Sequence, residues 1–161
     1  MKNLRNILFL MPFLVFAFSC EDDVEDVIND DDNNDDDNSV NIVEITVDND
    51  GATAYFVSEI NGNEDVTALN ENSSEWELKV GTRYELTVTG ASAHPFALRD
   101  SDNNILLSMN SEVGSFESVD AVNFESSATS FDFTLTQALA DELNNYVCTV
   151  HIGMTGSVTT S

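Results

Sequence analysis

The chain has 161 residues, which is the size of one domain plus accessory segments. Its hydrophobic content of 42% is enough for a packed interior, which excludes a wholly disordered chain. The 30 Asp and Glu residues against 5 Lys and Arg exclude a nucleic-acid role, because phosphate binding needs a basic surface. Cationic proteins and metal ions are the partners that suit this charge, and solubility in a salty or crowded exterior is the simplest reason for it.

Residues 1–19 have the pattern of a secretory signal peptide. Lys2 and Arg5 provide a charged start, an apolar run follows at residues 7–18, and the segment ends directly before Cys20. The apolar run is too short to span a membrane. The cysteine at its end resembles the lipobox of bacterial lipoproteins, in which this residue becomes the lipidated start of the mature protein. The resemblance implies a lipid anchor at Cys20 and a domain outside the cytoplasm, with an uncleaved anchor helix as the alternative.

Residues 21–38 form a block of like charge with almost no apolar content. Such a block repels itself and stays extended, so residues 20–40 are predicted to be a lipidated cysteine and a disordered acidic tether. The position of the block resembles the acidic export signals of surface lipoproteins in some Gram-negative bacteria, which implies the outer membrane or the cell surface. Calcium binding is the alternative, but the block lacks the turn Gly and the terminal Glu of an EF-hand loop.

The second part of the chain consists of short runs of β-forming residues with turn residues between them. Residues 41–47 alternate, residues 48–51 are a turn signal and residues 53–60 alternate again, which predicts a hairpin. Residues 137–143 alone have a helical pattern, barely two turns long. An all-β sandwich with one short helix is therefore predicted for residues 41–161. The predicted strands are 41–47, 53–60, 75–80, 84–89, 95–98, 105–108, 115–119, 131–136, 145–150 and 156–160.

The histidines of the chain and the cysteine of the predicted domain form a candidate metal site. His94, Cys148 and His151 all stand at predicted strand ends. Two imidazoles and a thiolate with a weak axial thioether are the ligand set of blue copper, because these donors suit both Cu(I) and Cu(II). Met154 can supply the thioether, so the sequence offers this set once.

The spacing Cys148-x-x-His151-x-x-Met154 places three donors on one loop. They can converge on one ion only if the loop is tight. Gly153 and Gly156 are expected to provide the backbone freedom that such a loop needs.

This segment resembles the ligand loop of the cupredoxin family, which includes plastocyanin, pseudoazurin and amicyanin. Those proteins have a Tyr or Phe near a Cys-x-x-His-x(2–4)-Met run that is followed by Gly-x-Val, as residues 146–158 do here. The upstream histidine of the family follows a Gly-x-x-Tyr type of turn, and here residues 81–84 precede His94. The resemblance covers roughly residues 41–161.

The resemblance implies an antiparallel Greek-key β-sandwich with mixed edges and one type 1 copper ion held by His94, Cys148, His151 and Met154. It implies a blue copper protein, periplasmic or at the cell surface, that carries single electrons between redox protein partners. Such a protein turns over no substrate, so the chain is not expected to be an enzyme. His151 is expected to be the exposed ligand through which electrons pass.

Two positions depart from the common pattern of the family. The spacing between His151 and Met154 is the short, amicyanin-like form. Pro95 follows His94 where many relatives have Asn, and a proline has no backbone N–H to donate to the cysteine sulfur. The surroundings of the sulfur are therefore expected to differ from those in relatives.

The charge of the predicted domain bears on its partner. Lys79, Arg83 and Arg99 are its only basic residues. A basic redox partner is therefore expected, with an association that is steered electrostatically and weakens as salt rises.

Other interpretations of the same residues stay open. The domain could be a copper-binding or copper-delivery module, a zinc site of His94, Cys148 and His151, or an adhesion domain in which Cys and His are only structural. A nucleophilic Cys/His pair would need an orienting acid or amide and an oxyanion hole, and nothing in the sequence marks them. A disulfide between Cys20 and Cys148 is not expected, because it would join the end of the signal to the last part of the domain.

Overall fold

The structure is a computed structural model that describes residues 40–109 and 113–161. The predicted signal peptide, Cys20 and nearly all of the predicted tether fall in residues 1–39 and lie outside the described residues. Within the described ranges, no helix is both long enough and apolar enough to cross a membrane.

The described residues form two five-stranded sheets and one short helix. The elements are β1 (Ile42–Asp50), β2 (Ala54–Asn61), β3 (Trp76–Leu78), β4 (Arg83–Val88), β5 (Phe96–Arg99), β6 (Ile105–Ser108), β7 (Glu125–Ser126), β8 (Ser130–Thr134), α1 (Gln137–Ala140), β9 (Asn145–Cys148) and β10 (Thr155–Thr160). The first sheet has the strand order β2-β1-β4-β8-β7, and the second has the order β3-β10-β9-β5-β6. The prediction of an all-β sandwich with one short helix is confirmed.

Both sheets are mixed. The pair β3–β10 is parallel and lies at an edge, as expected, but the parallel pair β1–β4 lies inside the first sheet. The chain leaves the first sheet after β2, forms β3 in the second sheet and then returns beside β1. That return makes β4 run in the same direction as β1, which a pattern of local alternation does not reveal. The remaining pairs, including β5–β9 and β9–β10, are antiparallel.

Two predicted elements differ from the structure. The strand predicted at residues 115–119 is wrong, because these residues form turns in which Glu117 N–H donates to the Gly114 carbonyl and Val119 N–H to the Phe116 carbonyl. The Glu117 carboxylate also accepts the N–H groups of Ser108 and Gly114, which holds this segment against β6. The helix is shorter than predicted, and the short strand β7 was not predicted.

The core between the sheets contains a cluster of fully buried aromatic rings. Trp76, Phe96 and Tyr146 come from the second sheet, and Tyr55 and Phe131 come from the first. Ring centroids lie 4.8 Å apart for Trp76 and Tyr146, 5.7 Å for Trp76 and Phe96, and 5.1 Å for Phe96 and Phe131. Each such pair contributes about 0.5–1.5 kcal/mol beyond its buried area. The cluster therefore joins the two sheets beside the ends of β5 and β9.

Four carboxylates cross the first sheet in register. Glu44 is paired with Glu85, Glu85 with Asp132 and Asp132 with Glu125. Like charges directly opposite each other destabilise a sheet. Burial, with further contributions from Glu85 and Glu125, raises the pKa of Asp132 above its usual value, although Arg83 opposes the rise.

We expect Asp132→Asn to stabilise the domain by on the order of 0.5 kcal/mol at pH 7, because it removes repulsion between paired strands. A raised folded-state pKa means that stability is lost as the pH rises through that pKa, so the gain should disappear below about pH 3.9, where the Asp is protonated in both states. Urea unfolding at both pH values measures this. Glu71→Gln, at an exposed loop position, is the control. Equal effects of the two substitutions would contradict the explanation.

Candidate metal centre

Three side chains converge at one end of the sandwich. The Nδ1 atoms of His94 and His151 lie 3.1 Å apart, and the Sγ atom of Cys148 lies 4.0 Å from the first and 3.7 Å from the second. Among the His, Cys, Asp and Glu residues that the structure describes, these three form the one group placed to hold a metal ion. The structure thus brings together the three donors that the sequence predicted.

The separations of the three atoms fit a transition-metal ion. The point equidistant from them lies about 2.1 Å from each, in the range of metal bonds to imidazole nitrogen and close to that of metal bonds to thiolate sulfur. Both histidines present the same ring atom, Nδ1, to this point. Two imidazoles and one thiolate in a trigonal arrangement are the donor set of a type 1 copper site, so the residues fit that ion.

His94 lies in the loop between β4 and β5, which is held by main-chain hydrogen bonds. The Gly90 carbonyl accepts the N–H groups of both Ala93 and His94, at 2.9 and 3.0 Å. Gly90 has a φ of +71°, a backbone conformation that favours glycine. The Asn49 side chain donates to the Thr89 carbonyl and so joins the start of this loop to β1. His94 is therefore presented by a turn with defined geometry.

Cys148 and His151 belong to the tight connection between β9 and β10. Cys148 N–H donates to the Met154 carbonyl at 2.9 Å, and Met154 N–H donates to the His151 carbonyl at 2.8 Å. His151 N–H donates to the Cys148 sulfur, with an N···S distance of 3.3 Å. These bonds close the loop and orient two of the three donors.

The two ligand loops are joined directly. Thr149 N–H donates to the Pro95 carbonyl at 3.0 Å, which extends the pairing of β5 with β9 by one residue. Pro95 thus acts as an acceptor in this arrangement. Pro95 has no N–H to donate, and His151 on the ligand loop itself supplies a backbone donor to the Cys148 sulfur.

The residues at the candidate metal centre differ in how far they are exposed to solvent. Cys148 and Met154 are fully buried, whereas His94 and His151 are partly buried. Val150 and Ile152, on either side of His151, are 61% and 75% exposed. The sulfur is therefore shielded from water, and the imidazoles lie between it and an apolar part of the surface. Met154 is buried in the core, and its role as the axial ligand stays a prediction.

Tyr55 is a residue at the site that the sequence analysis missed. It lies in β2 of the opposite sheet, and its hydroxyl donates to the His94 carbonyl at an O···O distance of 2.6 Å. Burial raises the pKa of Tyr55, and the neighbouring Cys148 adds to the rise. An aromatic residue in an alternating strand is ordinary core material, so nothing local in the sequence distinguishes it.

Comparison of the chain with protein-family models, with curated proteins and with solved structures gives no match. The fold and the His94, Cys148 and His151 cluster are therefore the findings on which a functional proposal can be based.

The expected role of the two loop glycines is corrected by the structure. Neither Gly153 nor Gly156 has a positive φ, so neither is needed for a left-handed turn. A Cβ at Gly156 would overlap the ring and hydroxyl of Tyr146, whereas a Cβ at Gly153 would meet nothing within 4 Å. Gly156 therefore provides space for a core aromatic residue.

We expect Gly156→Ala to destabilise the domain by about 1–3 kcal/mol, the usual cost of overpacking, while Gly153→Ala changes stability by less than about 0.5 kcal/mol. Chemical denaturation of the two variants beside the wild type gives both values. Equal losses in the two variants would show that backbone freedom, and not the space beside Tyr146, is what the glycines provide.

Proposed function

We propose that residues 41–161 form a cupredoxin-like domain that binds one copper ion through His94, Cys148 and His151 and carries single electrons between redox proteins. The observation that supports this most directly is the triangle of two Nδ1 atoms and one Sγ atom, with an equidistant point at bonding distance. A copper ion bound there would supply a one-electron couple between Cu(I) and Cu(II).

The kind and arrangement of the donors, more than their number, favour copper over zinc. Structural zinc sites have four strong protein ligands, and catalytic ones have three plus an open position for water. The described cluster has three strong donors, and its sulfur is fully buried against the core. A trigonal set of two His and one Cys, with a weak fourth contact from Met154 as predicted, is a copper arrangement.

The arrangement of the loops favours an electron carrier over a copper-delivery module. Main-chain hydrogen bonds hold Cys148, His151 and Met154 in one closed loop, and the Thr149 bond to Pro95 joins that loop to the one that presents His94. Such a site changes shape little when the charge of the ion changes, which suits electron exchange. Handover of copper by ligand exchange requires the partner's donors to reach the ion, and the Cys148 side of the site is buried.

The residues around His151 suggest where electrons would pass. His151 is partly buried and lies between the exposed side chains of Val150 and Ile152. Its imidazole can therefore connect the buried sulfur with a partner that docks on this apolar surface. The acidic character of the domain would steer a basic redox partner, since Lys79 and Arg83 both form ion pairs with glutamates of the domain.

We expect the protein, on addition of one equivalent of Cu(II), to develop an intense visible thiolate-to-copper absorption, a type 1 electron spin resonance spectrum and a reversible one-electron couple in voltammetry. Cys148→Ala should abolish the absorption, and His94→Ala and His151→Ala should lose the native spectrum. Added imidazole should restore it in His151→Ala, because we expect that ligand to face solvent.

Val150→Ala is the matched control, because it changes an exposed side chain between Cys148 and His151 and leaves the donors in place. It should keep the spectrum. Unchanged colour in Cys148→Ala would refute the site. Tight binding of zinc with no coloured copper complex would favour the zinc interpretation, and rapid transfer of copper to a chelator without a reversible couple would favour delivery.

For the location of the protein, we propose a lipid anchor at Cys20 in a bacterial membrane, outside the cytoplasm. We expect Cys20→Ser to release the protein from isolated membranes with its copper spectrum unchanged, because anchor and copper site use different cysteines. Cys148→Ser is the matched control and should stay with the membrane while losing the copper spectrum. Membrane retention of Cys20→Ser after a salt wash would contradict the anchor.

A further inference from the structure

Tyr55 reaches from the first sheet across the sandwich to the metal centre. Its ring is 1% exposed and packs against Phe96, with centroids 5.5 Å apart, and against Tyr146, with centroids 6.3 Å apart. Its hydroxyl donates a hydrogen bond to the His94 carbonyl, with an O···O distance of 2.6 Å, within the usual range for such bonds. The contact joins residues that are 39 positions apart in sequence.

The hydrogen bond from Tyr55 is made to the carbonyl group of His94, whereas the bond with Gly90 is made by its N–H group. The N–H of His94 is held by the Gly90 carbonyl, and the next residue, Pro95, has no N–H. Within the described residues, Tyr55 is the donor that holds the His94 carbonyl. The His94 carbonyl group directly precedes Pro95 in the chain, and the Pro95 carbonyl accepts the Thr149 N–H.

The Tyr55 ring also contacts Phe96, which is paired with Cys148 across β5 and β9. Burial is the main cause that raises the pKa of Tyr55, and the neighbouring Cys148 adds to the rise. Tyr55 is thus near both His94 and Cys148, which belong to different loops. It is the one group from the first sheet, among the bonds recorded for the described residues, that makes a hydrogen bond to a predicted ligand residue.

We propose that Tyr55 is a positioning residue of the metal centre, whose hydroxyl fixes the main chain of His94 opposite Cys148 and so sets the separation of the imidazole and thiolate donors. The inference rests on the proposed function for its metal, and the comparison of metal-free variants below tests the positioning separately.

The test compares Tyr55→Phe with Tyr146→Phe. Tyr146 is the matched control because it is equally buried and its hydroxyl donates to a backbone carbonyl, that of Ser74, at 2.8 Å. Each substitution removes one oxygen atom and one hydrogen bond and keeps the ring in the aromatic cluster. Urea unfolding of the metal-free variants measures how much each hydroxyl contributes to the free energy of unfolding. A change at the site can then be distinguished from a general loss of stability.

The first readout uses the metal-free protein. The chain has two histidines, so the imidazole signals in NMR spectra are only those of His94 and His151. Tyr55→Phe should shift and broaden the His94 imidazole signals, because the main chain that presents the ring loses its donor. Tyr146→Phe should leave them as in the wild type.

The second readout uses the copper-loaded protein. Tyr55→Phe should change the position and the relative intensity of the thiolate-to-copper bands and increase the rate of copper loss to a chelator about five-fold, the factor that one hydrogen bond of ordinary net strength corresponds to. Tyr146→Phe should keep the wild-type bands and rate.

Wild-type imidazole signals and bands in Tyr55→Phe would overturn the proposal, and so would equal changes in both variants, which would indicate general loosening of the core. A Tyr55→Phe protein that does not fold, beside a Tyr146→Phe protein that does, would also overturn it, because the hydroxyl would then serve the fold. If the wild type shows no thiolate-to-copper band, the proposed function fails, while the metal-free comparison still decides the role of Tyr55.

Discussion

The antiparallel pairing of β5 with β9 is the constraint on which the candidate metal centre depends. Phe96 is paired with Cys148, and the Thr149 bond to Pro95 continues the ladder to the position next to His94. A shift of one residue in this register would turn Cys148 away from the core and His94 away from Cys148. The positions of two donors from different loops are therefore set by one run of backbone hydrogen bonds.

The aromatic cluster supports that register from the inside. Phe96 of β5 and Tyr146 of β9 stack with centroids 5.8 Å apart, and both contact Trp76. Gly156 leaves room for Tyr146, so the strand after the ligand loop is adapted to the ring that precedes Cys148. Packing and hydrogen bonding thus act on the same short segments.

The outer surface of the sandwich has a different physical character from the site. In-register carboxylates cross the first sheet, which costs some stability and gives this surface a strong negative potential. The ligand loop instead exposes Val150 and Ile152 beside His151. Long-range electrostatic attraction of a partner protein and direct contact with that partner would therefore involve different parts of the surface.

Local patterns in the sequence were sufficient to predict most strands, the helix at residue 137 and the three donors of the cluster. Alternation and turn residues depend on neighbours in the chain, and Cys148 and His151 lie on one loop. The sequence could not predict the short strand β7, the turns at residues 115–119 or the parallel pair β1–β4. These depend on contacts with distant parts of the chain, such as the bonds of Glu117 to Ser108 and Gly114.

The amino-acid sequence alone determined the identity of the donors, because the chain has two histidines and one cysteine in the region of β-forming runs. Only the tertiary structure decided that Tyr55 contacts the site, that Gly156 serves Tyr146 and that His151 supplies the N–H to the sulfur. A donor is recognised by its chemistry, which is a property of one residue. A supporting contact depends on the distance between two residues, and folding of the whole chain sets that distance.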